Sequence, residues 1–98
     1  MTKANIIDII AEGTGLTKVE TQAVIDGFLA TVSYALKKGE RVELRGFGNF
    51  RTVQRKARIA RNPVTKEPIE VPEHNAAVFR TSKDLKKYIN EDDEDELF

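Results

Sequence analysis

The chain has 98 residues, of which 40% are apolar, and it contains sixteen basic and sixteen acidic residues, a length and composition typical of one globular domain. It has no cysteine, which excludes disulfides and cysteine-ligated metal sites, and no apolar stretch approaches the length of a membrane span. One histidine, no glycine-rich phosphate loop and no nucleophile motif argue against an enzyme.

The formal net charge of zero hides an uneven distribution of charge along the chain. Residues 1–90 hold all sixteen basic residues against ten acidic ones, a net charge of +6, whereas residues 91–98 carry the other six acidic residues. We therefore predict a basic folded domain over residues 1–90 and an acidic C-terminal tail over residues 91–98, which we expect to be disordered.

A first helix is predicted near the N-terminus. Thr2 is a suitable N-cap, an isoleucine-rich stripe follows it, and the helix runs to about Glu12, where we expect Gly13 and Gly15 to end it.

A second, longer helix is predicted after Thr17, which forms a capping-box pattern with Glu20. Gly39 is expected to stop this helix. Its apolar face is too broad for one short helix to cover, and we therefore expect a partner subunit to cover the excess. That face consists of Val24, Ile25, Phe28, Leu29, Val32, Ala35 and Leu36.

A short strand with one buried face is predicted where Val42 and Leu44 alternate with charged residues. Gly46 and Gly48 are expected to permit a sharp turn into a second strand. Three phenylalanines could be interpreted as a platform for stacking bases, but their position among aliphatic residues at the roots of strands favours packing in the core or at a subunit interface. They are Phe47, Phe50 and Phe79.

The next segment is a basic ribbon. Between Arg51 and Lys66 there are six cationic side chains and no acidic one, and strict alternation over residues 51–61 leaves no face suitable for burial. Asn62-Pro63 predicts a four-residue type I or II turn. A return arm then begins, and its flanking prolines argue against a central sheet strand. We expect a projecting two-stranded arm on the order of 40 Å long.

The chain is predicted to return to the body as a third strand over residues 76–79. Ser82 can then cap a last helix over residues 83–90, with lysines facing outward. Its inward side is predicted to consist of Leu85, Tyr88 and Ile89.

Two stretches carry a resemblance to a known family: Gly46-Phe47-Gly48-Asn49-Phe50, and Arg55-Lys56-Ala57-Arg58-Ile59-Ala60-Arg61-Asn62-Pro63-Val64-Thr65. Together they resemble the signature of the bacterial histone-like HU and integration host factor family, and the match extends over residues 1–90. The resemblance implies an α+β fold: an intertwined dimer with a helical base, a three-stranded antiparallel sheet, a C-terminal helix and, in each subunit, a protruding two-stranded arm at about residues 51–74.

DNA offers this ribbon regularly spaced phosphates and a narrow minor groove that attracts arginine. By resemblance, Pro63 is a wedge between base steps, Arg58, Arg61 and Asn62 line the minor groove, and further cations contact phosphates. On the arm these are Arg55, Lys56 and Lys66; on the body they are Lys3, Arg80, Lys83, Lys86 and Lys87.

The resemblance therefore implies an architectural protein of the bacterial cytoplasm and nucleoid that bends and compacts double-stranded DNA, largely without sequence specificity. It implies a homodimer, with a heterodimer left open, and no cofactor, metal or small-molecule substrate. A sequence-preferring DNA bender and an RNA-binding module are the alternatives. For the tail we hypothesise that residues 91–96 compete with phosphate for the basic side chains, so that deleting residues 91–98 should tighten binding at low salt.

Overall fold

The computed structural model describes residues 1–92 and 97, and within them the chain forms three helices and five strands. This is the predicted α+β arrangement with a C-terminal helix. In chain order the elements are α1 (Lys3–Thr14), α2 (Lys18–Lys37), β1 (Val42–Leu44), β2 (Gly48–Arg55), β3 (Arg58–Arg61), β4 (Pro68–Val71), β5 (His74–Thr81) and α3 (Lys83–Ile89).

The first helix begins as predicted but ends later. The Thr2 hydroxyl accepts a hydrogen bond from the Asn5 amide at 3.3 Å, and the Asn5 side chain accepts one from the Thr2 amide at 2.8 Å. The prediction that Gly13 helps to end the helix was wrong. A lone glycine costs a helix only about 1 kcal/mol, whereas Gly15, with φ of +78°, adopts the left-handed conformation that terminates α1.

The capping box of α2 is confirmed. The Glu20 amide donates to the Thr17 hydroxyl at 3.1 Å, and the Glu20 carboxylate accepts from the Thr17 amide at 3.1 Å. The side-chain hydrogen bond from Thr17 is the largest cause that lowers the pKa of Glu20 below its ordinary value. At the other end, Gly39 has φ of +78° and turns the chain away from the helix.

The core of a single chain is very small. Among the described residues, only Ile7, Ala11, Thr21 and Gly48 are buried. The broad face of α2 stays open: Val24 is 66% exposed and Phe28 46%. A chain of this size needs most of its apolar surface covered to be stable. The exposed face is thus left for another surface to cover.

The C-terminal helix is capped by Ser82, whose hydroxyl accepts from the Leu85 amide at 3.0 Å. Of the three residues predicted to face inward, only Leu85 is half-buried within one chain, whereas Tyr88 and Ile89 are exposed. The reason is that α3 has only seven residues, and no other element of the described chain packs closely along it.

The main sheet is antiparallel, with strand order β1-β2-β5. Val42 pairs with Phe50 across β1 and β2. The two glycines of the intervening turn have different roles, which the sequence did not distinguish. Gly46, with φ of +83°, makes the turn, whereas Gly48 permits close packing, because a Cβ there would lie 2.4 Å from the carbonyl oxygen of Arg80.

Phe79 of β5 packs against two other phenylalanines, Phe50 of β2 and Phe47 of the turn before β2. The Phe50 and Phe79 rings, which are cross-strand neighbours, have centroids 4.7 Å apart, and the Phe47 and Phe79 centroids are 5.3 Å apart. The rings are tilted against each other, as is usual for packed aromatic pairs. They form an apolar cluster that is only partly covered within one chain, since Phe47 is 46% exposed and Phe79 38%.

The molecule is elongated. Its principal extents are 52 × 32 × 29 Å and its radius of gyration is 18.4 Å, compared with about 13 Å for a compact domain of 100 residues. The excess length agrees with a projecting arm.

Candidate nucleic-acid interface

The arm begins as a continuation of the main sheet. Strand β1 pairs with β2 only as far as Phe50, whereas β2 and β5 remain paired up to Arg55 and His74. The Thr52 hydroxyl donates to the carbonyl oxygen of Leu36, near the end of α2, at 2.8 Å. We call residues 51–55 and 74–78 the arm root; this hydrogen bond fastens the root to the helical base.

The strands are interrupted beyond the root. Lys56-Ala57 and Pro72-Glu73 belong to no strand, and β3 and β4 then form a separate two-stranded sheet. The uninterrupted alternation predicted over residues 51–61 was therefore wrong. Pro72 supplies a physical reason, because proline has no backbone N–H to donate to the ladder. We call these four residues the break, and residues 58–71 the arm tip.

The turn at the end of the tip lies where it was predicted, and its backbone hydrogen bonds show how it is closed. The Lys66 amide donates to the Asn62 carbonyl at 2.8 Å, and the Asn62 amide donates to the Glu67 carbonyl at 2.9 Å. The predicted turn at Asn62-Pro63 is present, and its type I or II geometry stays a prediction. The loop is closed by a five-residue hydrogen bond, with Lys66 in the left-handed conformation at φ of +64°.

Asn62 holds the turn with its side chain. Its Oδ1 accepts hydrogen bonds from the amides of Val64, at 2.9 Å, and Thr65, at 3.3 Å, as asparagine commonly does in turns. Pro63 lies between these partners and is exposed. Because proline has no amide hydrogen to satisfy, the apex presents an apolar ring with no backbone donor.

The predicted cations of the arm are all exposed. In the part of the chain that the structure describes, ion pairs occur only at Lys3–Asp26, Lys18–Asp8 and Arg41–Glu43, none of them on the arm. One arm guanidinium is partly engaged, since Arg61 donates to the carbonyl oxygen of Lys66 at 3.2 Å. The arm therefore presents unneutralised positive charge at Arg55, Lys56, Arg58, Arg61 and Lys66.

The predicted cations of the body lie on β5, α3 and α1. Arg80 is next to the last residue of β5, and the exposed lysines of α3 are spaced to share one side of the helix; these are Lys83, Lys86 and Lys87.

Lys3 differs from the other body cations in being engaged. Its ammonium group lies 2.8 Å from the Asp26 carboxylate, and this hydrogen bond lowers the pKa of Asp26 below its ordinary value. Whether any predicted residue contacts a nucleic acid stays a prediction.

Some features of this region were missed by reasoning from the sequence. His74 is the residue of the arm root that follows the break, and its Nδ1 is 2.9 Å from the carbonyl oxygen of Pro72. The amide of Gln54 hydrogen-bonds to the Glu73 carboxylate. Pro72 was a sequence signal that the strands are interrupted here. Around His74, in contrast, the sequence contains no motif that indicates a role.

The predicted disordered tail lies largely outside the described residues, which omit 93–96 and 98. Leu97 is described, and it lines an apolar depression on the first helix together with Met1, Ile6, Ile9 and Ile10.

None of the helices in the described part of the chain is long and apolar enough to cross a membrane. Residues 1–90 match the model of a family described as "Bacterial DNA-binding protein".

Among similar proteins, DNA-binding protein HU of Clostridium pasteurianum is 42% identical over 90 residues, covering 92% of this chain and 99% of the relative. Integration host factor subunit alpha of an Anaeromyxobacter species is 38% identical over 90 residues, covering 92% of this chain and 91% of the relative.

Two solved structures share the fold. An HU–DNA cocrystal structure from Anabaena superposes with a TM-score of 0.82 at 36% identity, covering 92% of this chain and 98% of that one. HU from Thermotoga maritima superposes with a TM-score of 0.66 at 28% identity, covering 92% and 100%. With its capped helices, three-stranded sheet and basic arm, the chain belongs to the bacterial DNA-binding protein family that includes HU and integration host factor.

Proposed function

We propose that this chain is an architectural protein that binds double-stranded DNA as a dimer, lays its arm tips in the minor groove and kinks the duplex with Pro63. The observation that carries the proposal is the arm itself. It projects from the body, its six cationic side chains have no carboxylate partner among the described residues, and its exposed apex carries a proline held by the Asn62 side chain.

The dimer follows from the shortage of core. A monomer with four buried residues among those described leaves the α2 face and the phenylalanine cluster partly in water, and each large apolar side chain so exposed forgoes part of the about 1.5–3 kcal/mol that full burial contributes. A second copy of the chain supplies a matching apolar face by two-fold symmetry. A homodimer is the simplest such assembly. In a heterodimer, a related chain would cover the same apolar face.

The arm is suited to the minor groove by shape and charge. A two-stranded ribbon tip is narrow, and arginine is attracted to the enhanced negative potential of a narrow groove. Arg58 and Arg61 lie at the two ends of β3, and they flank the approach to the turn. We assign them to the groove with Asn62, whose Oδ1 is occupied by the turn and whose amide nitrogen is left for the DNA.

Pro63 is assigned to the wedge role. An apolar ring inserted between base steps unstacks them, and minor-groove binders, a class that includes this family, kink DNA in this way by about 20–90°. The remaining arm cations, Arg55, Lys56 and Lys66, would contact phosphates, and the body cations would hold the DNA that the kink turns back toward the protein.

The relatives include both HU and integration host factor subunits. We favour general compaction of bacterial DNA in the nucleoid with little sequence specificity, because minor-groove contacts distinguish mainly A·T from G·C pairs and groove shape.

The decisive experiment is a salt titration of binding to an intact DNA duplex, a nicked DNA duplex and a double-stranded RNA of matched length. We expect the affinity for DNA to fall steeply with salt, nicked DNA to bind more tightly because it bends at lower cost, and RNA to bind more weakly. Equal or tighter binding to RNA would instead support an RNA-binding module, and absence of duplex binding at modest ionic strength would overturn the proposal. Binding-site selection followed by gel-shift bending analysis separates general compaction from site preference.

A further inference from the structure

A basic notch lies at the break between the arm root and the arm tip. It has a volume of about 440 Å³ and is lined by Arg55, Lys56, Arg58, His74 and Ala76. Arg55 and His74 face each other in the strand register, whereas Lys56 and Arg58 come from the interruption and the start of β3. The notch therefore gathers three permanent cations around the single histidine of the chain.

The orientation of the imidazole is fixed by one hydrogen bond. The carbonyl oxygen of Pro72 can only accept, so His74 Nδ1, at 2.9 Å from it, must carry a proton. In the neutral ring Nε2 is then an acceptor and would repel a phosphate oxygen, whereas in the imidazolium both nitrogens donate. Protonation thus converts Nε2 from a group that opposes an anion into one that binds it.

The charges around His74 favour coupling between anion binding and proton uptake. The groups that line the notch with it, Arg55, Lys56 and Arg58, are cationic, and the adjacent Glu73 carboxylate accepts a hydrogen bond from Gln54 across the root. A phosphate in the notch would offset the repulsion between the imidazolium and its cationic neighbours, so each of the two events would favour the other.

We propose that His74 is a further DNA-contacting residue that makes the grip of the arm depend on protons: its imidazolium donates from Nε2 to a backbone phosphate held in the notch by Arg55, Lys56 and Arg58. This inference rests on the proposed DNA binding. His74 is the only histidine and there is no cysteine, and histidine is the residue type whose charge most readily changes near neutral pH.

The experiment measures binding to a short random-sequence duplex at constant ionic strength between about pH 5.5 and pH 8. We expect the affinity of the wild-type chain to rise about three- to tenfold as the pH falls, as expected when one charge-assisted hydrogen bond is gained at an exposed site screened by salt. His74→Gln should bind with an affinity that varies less than about twofold over the same range. His74→Lys, which stays charged, should bind at every pH about as tightly as the wild type does at the acidic end.

Calorimetry in two buffers of different ionisation enthalpy provides a second readout, since the wild type should take up more protons on binding than His74→Gln. His74 is exposed, so both variants should fold. A wild-type affinity independent of pH, or a pH dependence retained by His74→Gln, would overturn this inference while leaving the proposed function intact; no duplex binding at any pH would overturn the proposed function itself.

Discussion

The helical base and the arm expose different kinds of side chain. The base exposes apolar side chains that a folded chain normally covers, and the arm exposes cationic side chains that it normally neutralises. The base leaves Val24 and Phe28 of α2 in solvent, whereas the arm presents cations with no carboxylate partner among the described residues. Apolar surface is best covered by another apolar protein surface, and clustered positive charge is best met by a polyanion. The kind of exposed surface therefore identifies the kind of partner.

If this division is right, changes in the base should alter assembly and stability, and changes in the arm should alter DNA binding alone. The largest effect is expected for Phe28→Glu, because a carboxylate on the dimer face must be desolvated on association. We expect the variant to lose the folded dimer, and duplex affinity to fall at least about a hundredfold with it.

Analytical ultracentrifugation and circular dichroism measure the effect of Phe28→Glu. Ala30→Glu is the matched control. Ala30 lies two residues after Phe28, on nearly the opposite side of α2, and it is exposed. A stable Phe28→Glu dimer would show that the α2 face is not the interface.

Gly48→Ala should give the second largest effect, again in the base. The added Cβ would lie 2.4 Å from the Arg80 carbonyl oxygen and 2.7 Å from the Phe79 ring, and overpacking of this kind costs about 1–3 kcal/mol. Urea unfolding monitored by circular dichroism should show the loss. Gly27→Ala is the control, because in the described part of the chain a Cβ there meets nothing within 4 Å beyond the neighbouring backbone of its own helix; it should be neutral or stabilising.

Arg58→Ala and Arg61→Ala test the arm. Each should weaken duplex binding about tenfold, as expected when a charge-assisted contact is lost, and lower the salt slope by about one. The melting temperature should stay unchanged, since both side chains are exposed. A variant that lowers both the duplex affinity and the melting temperature would contradict a separation of roles between arm and base.

Pro63→Ala sharpens the assignment within the arm. Because the Asn62 side chain still accepts from the amides of Val64 and Thr65, the turn should persist. The bend angle should therefore fall, whereas affinity should change less than about threefold, since the phosphate contacts that dominate affinity remain. Fluorescence energy transfer between labelled DNA ends measures the angle. An unchanged bend would remove Pro63 from the wedge role.

The smallest effect is expected for Asp26→Asn, which frees Lys3 from its carboxylate partner. Affinity should rise about twofold at low salt, because exposed ion pairs contribute little, and the gain should vanish at high salt. No gain at low salt would indicate that Lys3 lies outside the interface.

The Lys3–Asp26 pair is also independent of the pH effect attributed to His74. The hydrogen bond from Lys3 lowers the pKa of Asp26, so the carboxylate is charged above the ordinary aspartate range and the pair is lost only as the pH falls through that lowered pKa.

What could be predicted from the sequence was mostly local. Thr17 and Glu20 define a helix start within four residues, and that prediction was confirmed. Predictions failed where the outcome depends on a distant partner: the role of Gly48 is decided by the Arg80 carbonyl, and the exposure of Tyr88 by what packs on α3. The turn at Asn62 was located correctly, but how it is closed depends on the conformation of Lys66, which has no local signature.

The candidate site shows the same limit. The arm cations were found because they are dense in the sequence, and the family motif assigns their roles. The notch around His74 was missed because it arises only when β5 is registered against β2.

The separate pairing of β3 with β4 has one further consequence. A two-stranded ribbon has two bare edges, and such edges invite uncontrolled strand addition and aggregation. Here β4 begins with Pro68 and is followed by Pro72, and neither proline has a backbone N–H to donate. The arginines of β3 also repel a second ribbon. The charge that favours DNA thus also keeps the ribbon soluble, and variants designed to weaken DNA binding by neutralising several arm cations at once should tend to self-associate.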